Sequence, residues 1–360
     1  MATEKKETIT ANQIIWIVVA LCPVGIITLP REINQYAQQS GWMMLLLTYL
    51  LVLLFSRFIF ILAARYPGKS IIAISNIILG KWLGRSVSLF LILLLIGAPS
   101  ISVRLLSEGV NTYLMFHTPK SVIILAMLLS VMYVINNGMG TVARFNELVQ
   151  PFMLLVLLFI LLMTLPNTDF SNFLPLISNE FSLRKAVMPS LFPYIALFSI
   201  PFLFPYSAQP KQLWRGMCWG ILIIFLIVFL LFVFIIALFG PVETNYIEYP
   251  SIDMARIIRF AVFERMDILF VTFWIAIEYT LLTILCYLGS FALQQYFAKG
   301  SFFLWSLILM SVTLVLSLLP DDIEDTRRLS SFFHGISMGI LFMVFPLLVF
   351  IDFLKKRVNR

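Results

Sequence analysis

The sequence has little charge. Only 12% of its 360 residues are Asp, Glu, Lys or Arg, too few to coat a soluble globule of this length. It has two histidines and three cysteines with no HxxxH or CxxC spacing among them, so neither a zinc site nor a metalloenzyme is expected. Cys22, Cys218 and Cys286 lie far apart inside apolar stretches and read as small hydrophobic residues, not as a disulfide framework. No block of five basic residues accompanies the net charge of +7, which argues against nucleic acid as a partner. There is no phosphate-cradling glycine loop, and no nucleophile, base and orienting group stand at an interpretable spacing, so the chain reads as a non-enzyme without a cofactor. The opening MATEKKETITAN mixes Glu4 and Glu7 with Lys5 and Lys6, unlike the basic leader of a cleaved signal, and the first apolar run is expected to be retained.

What is present is apolar: 61% hydrophobic residues and a mean hydropathy of +0.99. Crossing a hydrocarbon core of about 30 Å takes about 20 such residues in a helix. Ten runs approach that length, at 12–38, 41–63, 82–114, 120–137, 146–165, 186–208, 214–240, 267–297, 302–319 and 331–354. They leave no room for a soluble domain. The expectation is an all-α integral membrane protein, a single transmembrane domain over 1–360 embedded in a lipid bilayer. Counting Lys and Arg on alternate sides places both termini in the cytoplasm, with Arg57, Arg65, Lys81, Arg85, Lys211 and Arg215 inside. Most carboxylates, Glu32, Asp169, Glu243 and Asp321 among them, fall on the other side.

Two runs are interrupted. The first reads LCPVGIITLP (21–30) and the sixth FPYIALFSIPFLFP (192–205), with Pro23, Gly25 and Pro30 in one and Pro193, Pro201 and Pro205 in the other. Proline removes an amide donor and crowds the preceding turn, so both helices are expected to kink or unwind. In lipid such backbone survives only where protein or a wet cavity satisfies it. The two are also the first helices of two five-helix sets, about 12–165 and about 186–354, which is the pattern of an inverted repeat with a ligand held at paired broken helices. Independent proline kinks without function are the alternative. Freed amides suit a carboxylate and freed carbonyls an ammonium, so an amino acid zwitterion fits. Candidate ligand residues are Pro23, Val24, Gly25 and Thr28 at the first interruption, and Phe198 and Ser199 at the second.

The motifs GIITLPREI (25–33), GKWLG (80–84), YPSI (249–252), ERMDILF with Trp274 beyond it (264–274) and LPDD (319–322) occur in order along the chain. In them the sequence resembles the B-subunit family of nutrient germinant receptors of spore-forming bacteria, within the amino acid–polyamine–organocation transporter superfamily. The resemblance implies a sensor of small germinants, an amino acid foremost, sitting in the spore inner membrane or cell membrane beside a receptor A subunit and a C lipoprotein. Two positions depart from the family pattern: Pro23 stands where glycine is common, and Ser199 where a carboxylate is frequent.

Other polar residues inside the runs bear on the same site. Glu278 lies within the eighth run, where a carboxylate is costly unless paired, protonated or facing a cavity. The superfamily packs this helix against the broken ones, so Glu278, Thr280 and Thr283 are expected to border the ligand or gating cavity; a carboxyl hydrogen-bonded between helices is the alternative. Ala98, beside Gly97, offers either a cavity wall or simple helix contact. Arg104 and Glu108, four apart, are expected to pair near the outer end of the third run as an interfacial structural pair; a gate is the alternative. The segment 252–265 reads as an amphipathic helix lying over the protein or at the interface; the resemblance to the superfamily implies an outer lid, and an ordinary surface helix is the alternative. His117 and His334 sit at run edges and receive no role. Three functions remain open: a germinant-sensing receptor subunit, an ion-coupled secondary amino-acid transporter, or a scaffold that has lost ligand recognition.

Overall fold

The computed structural model describes residues 8–22, 27–178, 181–207, 209–258 and 266–358. Every regular element among them is helical, and a parallel bridge between Ile9 and Ser207 is the one extended contact. The first apolar run is split. α1 (Ala11–Ala20) starts at a capping box in which Thr10 and Gln13 satisfy each other's backbone amides. α2 (Leu29–Ala37) carries Pro30 in its first turn, where a missing amide costs no helical bond. Residues 21–28 separate the two; Pro23, Val24 and Gly25 lie outside the described residues.

The chain continues through α3 (Gly41–Arg65), α4 (Ile71–Leu79), α5 (Lys81–Tyr113), α6 (Lys120–Ile135) and α7 (Met139–Thr164). The sixth run folds as α8 (Leu183–Leu191) followed by a 3₁₀ helix over Phe192–Tyr206. The eclipsed 3₁₀ geometry rarely persists beyond about four residues. Here Pro193, Pro201 and Pro205 withhold the amides that α-helical bonding would need, and the tighter winding extends for 15.

Next come α9 (Pro210–Thr244), α10 (Pro250–Ile257), α11 (Met266–Phe297), α12 (Phe302–Leu318), α13 (Ile323–Gly339), a π-helical stretch over Ile340–Val344 and α14 (Phe345–Val358). α9 bends at Gly240, whose φ of 73° and ψ of 165° belong to a region open essentially to glycine alone. The break falls at 240, where the seventh run is expected to end, and further helical turns beyond it reach Thr244. In the amphipathic segment that follows, Ser251, Ile252, Met254 and Ala255 are buried. Arg256 pairs with Asp253 at 2.8 Å and lies 5.5 Å over the Tyr113 ring, while Arg259 to Arg265 lie outside the described residues.

Burial and exposure divide several helices lengthwise, whereas residues 280–290 of α11 are buried on every side. On α3, Val52, Ser56 and Ile59 are buried while Leu46, Leu50 and Leu54 face outward; Leu125 and Leu129 on α6 and Leu148, Phe152 and Leu155 on α7 also face outward. Outward leucines at steps of three and four form apolar stripes, which water would penalise and lipid tails accept. Among the described residues, seven helical stretches are long and apolar enough to cross a membrane, and α1, α6 and α12 are shorter apolar helices. The protein is a multi-pass membrane protein.

The two ends of the bundle differ. At the near end, Ile9 donates its amide to the Tyr206 carbonyl, and Asp352 on α14 accepts from the Arg65 guanidinium and the Tyr66 hydroxyl. Burial, and then the Asp352 carboxylate beside it, push the Tyr66 phenol up to about 12, so it stays a donor. The far end carries α2, the start of α8, α10 and the start of α13.

Candidate functional site

A cavity of about 350 Å³ opens at the far end between α2, α5, α8, α11 and α13. Each helix contributes by simple periodicity. α13 presents Arg327, Ser330, Ser331 and His334, spaced three and four apart and so on one face. α5 contributes Leu105, Glu108, Gly109 and Tyr113 by the same spacing. Ile27 and Thr28 line it at the edge of the first interruption, with Glu32 one turn on. Phe192 marks the point where α8 gives way to the 3₁₀ helix, and Trp274 of α11 closes the opposite side.

Charge in this wall is arranged unevenly. Glu108 is bridged at 3.1 Å by Arg104 and at 2.6 Å by Lys120, and the Arg104 and Glu108 residues are only 5% and 8% exposed. The expected pair thus forms and is buried, with a third, partly exposed partner in Lys120. Arg327 is bridged at 2.7 Å by Glu248. Burial raises the neighbouring Tyr249 phenol above its ordinary value, which keeps it neutral. Glu32 accepts a 2.7 Å hydrogen bond from the Thr28 hydroxyl. Two ring nitrogens in the wall, Trp274 Nε1 and His334 Nε2, are buried without a hydrogen-bond partner among the described residues.

Two smaller spaces adjoin it. One, of about 50 Å³, shares Leu105, Phe192 and Ser330 with the large cavity and is further lined by Ala98, Ser102 and Phe198. The other, of about 80 Å³, shares Ile27 and Trp274 and is lined by Cys22, Gln150 and Ile277. Glycines let rings into these walls. A Cβ on Gly109 would sit 2.6 Å from the Trp274 ring, and one on Gly97 only 2.2 Å from that of Phe333, which lines the 50 Å³ space.

The predicted residues distribute over this system. Thr28 lines the large cavity; Ala98 and Phe198 line the 50 Å³ space. Glu278, fully buried, accepts a 2.9 Å hydrogen bond from Ser102 and so stands behind the wall of that space. Thr280 accepts from Gln150 at 2.6 Å and donates to the Ile277 carbonyl, which ties α11 to α7. Thr283 donates to the Thr280 carbonyl, and Ser199 donates to the Ala196 carbonyl at 2.7 Å; both hydroxyls turn back on their own helix. Pro23, Val24 and Gly25 lie outside the described residues.

Sequence reading passed over Glu32, Tyr249, Trp274 and the α13 stripe as site residues. His334, placed at a run edge, is instead buried inside α13, its ring 5.2 Å from that of Phe192 in an edge-on contact. The signal existed. IEDTRRLSSFFHG (323–335) follows the helix-capping Asp322, and its polar residues fall at helical spacing on one face.

A family model described as spore germination protein matches residues 8–326. The chain is similar to spore germination protein B2 of Bacillus subtilis (strain 168), 25% identical over 358 residues and covering 94% of each chain. It is similar to spore germination protein YndE of the same organism, 25% identical over 364 residues and 99% of each. Among solved structures, Mhp1, a nucleobase-cation-symport-1 family transporter in a closed conformation with bromovinylhydantoin bound, superposes with a TM-score of 0.72. That match has 13% identity and covers 96% of this chain and 78% of the other, so the likeness is one of fold.

Proposed function

The chain belongs to the spore germination protein family, and on that premise we propose that it is the germinant-sensing membrane subunit of a spore germination receptor. It binds a small nutrient and signals exit from dormancy; the role is recognition and not catalysis. The observation that carries this reading is the cavity of about 350 Å³ beside the interruption between α1 and α2, large enough for a small nutrient. Binding there shifts a conformational equilibrium that partner subunits sense.

The finer architecture belongs to the same proposal. Ten spans form two inverted sets of five, about 12–165 and about 186–354, each opening with a broken helix. The split at 21–28 and the 3₁₀ winding of Phe192–Tyr206 support it. Both termini face the cytoplasm in the spore inner membrane, in keeping with the distribution of Lys and Arg. An A subunit and a C lipoprotein complete the receptor, and the germinant is an amino acid. Thr28, Ala98, Phe198 and Glu278 border its path, with Ser199, Thr280 and Thr283 shaping the backbone behind them; Pro23, Val24 and Gly25 join the site on sequence grounds.

The test is deletion of the chain in spores, germination against a panel of nutrients, and restoration with wild type or Glu278→Gln. Loss of one nutrient response on deletion is expected, with a weakened response or altered pH dependence for Glu278→Gln. An unchanged response and pH dependence in that variant would remove Glu278 from the path. The fold shared with Mhp1 favours one second reading, an ion-coupled secondary transporter of amino acids. Saturable binding in liposomes without gradient-driven uptake supports the receptor; accumulation of labelled solute supports the transporter.

A further inference from the structure

The two carboxyl groups and one guanidinium in the wall of the large cavity are not equivalent. Glu108 is neutralised by Arg104 and Lys120, and Arg327 by Glu248. Glu32 is held by a single hydroxyl, that of Thr28, and no ion pair involving it occurs among the described residues. Arg31 next to it turns its Nε to the Asn245 carbonyl, 3.1 Å away, and Arg31 and Arg327 act on Glu32 through space without an ion-pair contact. A carboxylate on a half-buried wall has capacity for about three further hydrogen bonds and favours a cation to make them.

The remaining surfaces suit the rest of such a ligand. Tyr113, Tyr249 and Trp274 bring aromatic rings into the same wall, and aromatic faces attract ammonium groups. The buried Trp274 Nε1 is a donor without an acceptor, and His334 Nε2 likewise has no partner among the described residues. A molecule with an ammonium group at one end and a carboxylate or carbonyl at the other would offer donors to Glu32 and an acceptor to Trp274 Nε1, which line the same cavity. We propose that Glu32 is the subsite for a primary ammonium group, so that this cavity selects amine-bearing nutrients over sugars and nucleosides. The inference rests on the receptor reading and deepens it by assigning the ligand's charged end to one residue.

The test is binding to the full chain in lipid nanodiscs, followed by calorimetry. The probes are L-valine, L-leucine and L-phenylalanine, their des-amino acids, their methyl esters, D-glucose and inosine. Wild type is expected to bind at least one amino acid saturably, to bind its methyl ester measurably, and to lose about tenfold or more with the des-amino acid. Glu32→Gln, which keeps the side chain's size, is expected to lose about the same factor for the amine probes, and Glu32→Asp less. Thermal unfolding of each variant in the same discs reports its folding. If Glu32→Gln is poorly folded, the wild-type ranking and Glu32→Asp still decide: equal binding of amino acid and des-amino acid, or unaltered affinity in Glu32→Asp, overturns the subsite. Binding of glucose or inosine alone overturns it too. Failure of the underlying reading is separate, since spores lacking the chain would then germinate normally on every nutrient tested. Spores that lose a nutrient response on deletion, yet keep it fully with Glu32→Gln, overturn the Glu32 assignment alone.

Discussion

At the residue scale, the site depends on where small side chains let large ones enter. Gly109 is the clearest instance, because a methyl group there would stand 2.6 Å from the Trp274 ring, closer than carbon atoms approach. Gly109→Ala is expected to force Trp274 toward the cavity and to destabilise the protein by about 1–3 kcal/mol, as overpacking of a full interior does. Thermal unfolding in detergent checks the stability, and nutrient dose response checks the cavity; an unchanged midpoint and response would show that the ring moves aside freely. Such a role is invisible in sequence, where Gly109 is one small residue in a long helix. Ser199 shows a different limit. Its hydroxyl stands in the second interruption, where the 3₁₀ winding turns it onto the Ala196 carbonyl. Position along the chain was readable; the direction of a side chain depends on how tightly its helix is wound.

At the element scale, the interruptions and the ends of helices carry the function. The proline clusters at 21–30 and 192–205 announced both interruptions, because a missing amide is a local property that no tertiary contact restores. The far-end stripe of α13 was missed because hydropathy placed the start of the tenth run at 331, whereas the Asp322 cap starts the helix at Ile323. Asp352 shows what only packing can assemble, since its partners Arg65 and Tyr66 lie far away in sequence on and beside α3. Because the Tyr66 phenol is raised in the folded state from 10.0 to about 12, its contribution is complete below pH 10 and disappears as pH climbs toward 12. The difference in thermal midpoint between wild type and Tyr66→Phe is therefore expected to stay constant from pH 6 to about 9 and to shrink above about pH 10. A difference that changed across neutral pH would mean that another group controls the clasp.

At the scale of the whole molecule, the apolar stripes decide where the protein resides. Leu129 on α6 is 58% exposed and faces away from the bundle. Leu129→Asp is expected to disfavour insertion by about 3 kcal/mol, as a carboxylate at mid-helix in lipid does. The amount of protein recovered in the membrane fraction checks it, and full recovery would place that face against protein instead of lipid. Sequence alone settled that this chain is helical, crosses a membrane several times and is interrupted twice, because hydropathy, helix length and proline chemistry are properties of local sequence. Tertiary structure decided which polar residues share a cavity. Glu32, Trp274, Arg327 and His334 come from three helices far apart in the chain, and their roles follow from which of them find partners once those helices pack. A carboxylate's meaning lies in its neighbours, and neighbours across a bundle are set by packing, which no single stretch of sequence contains.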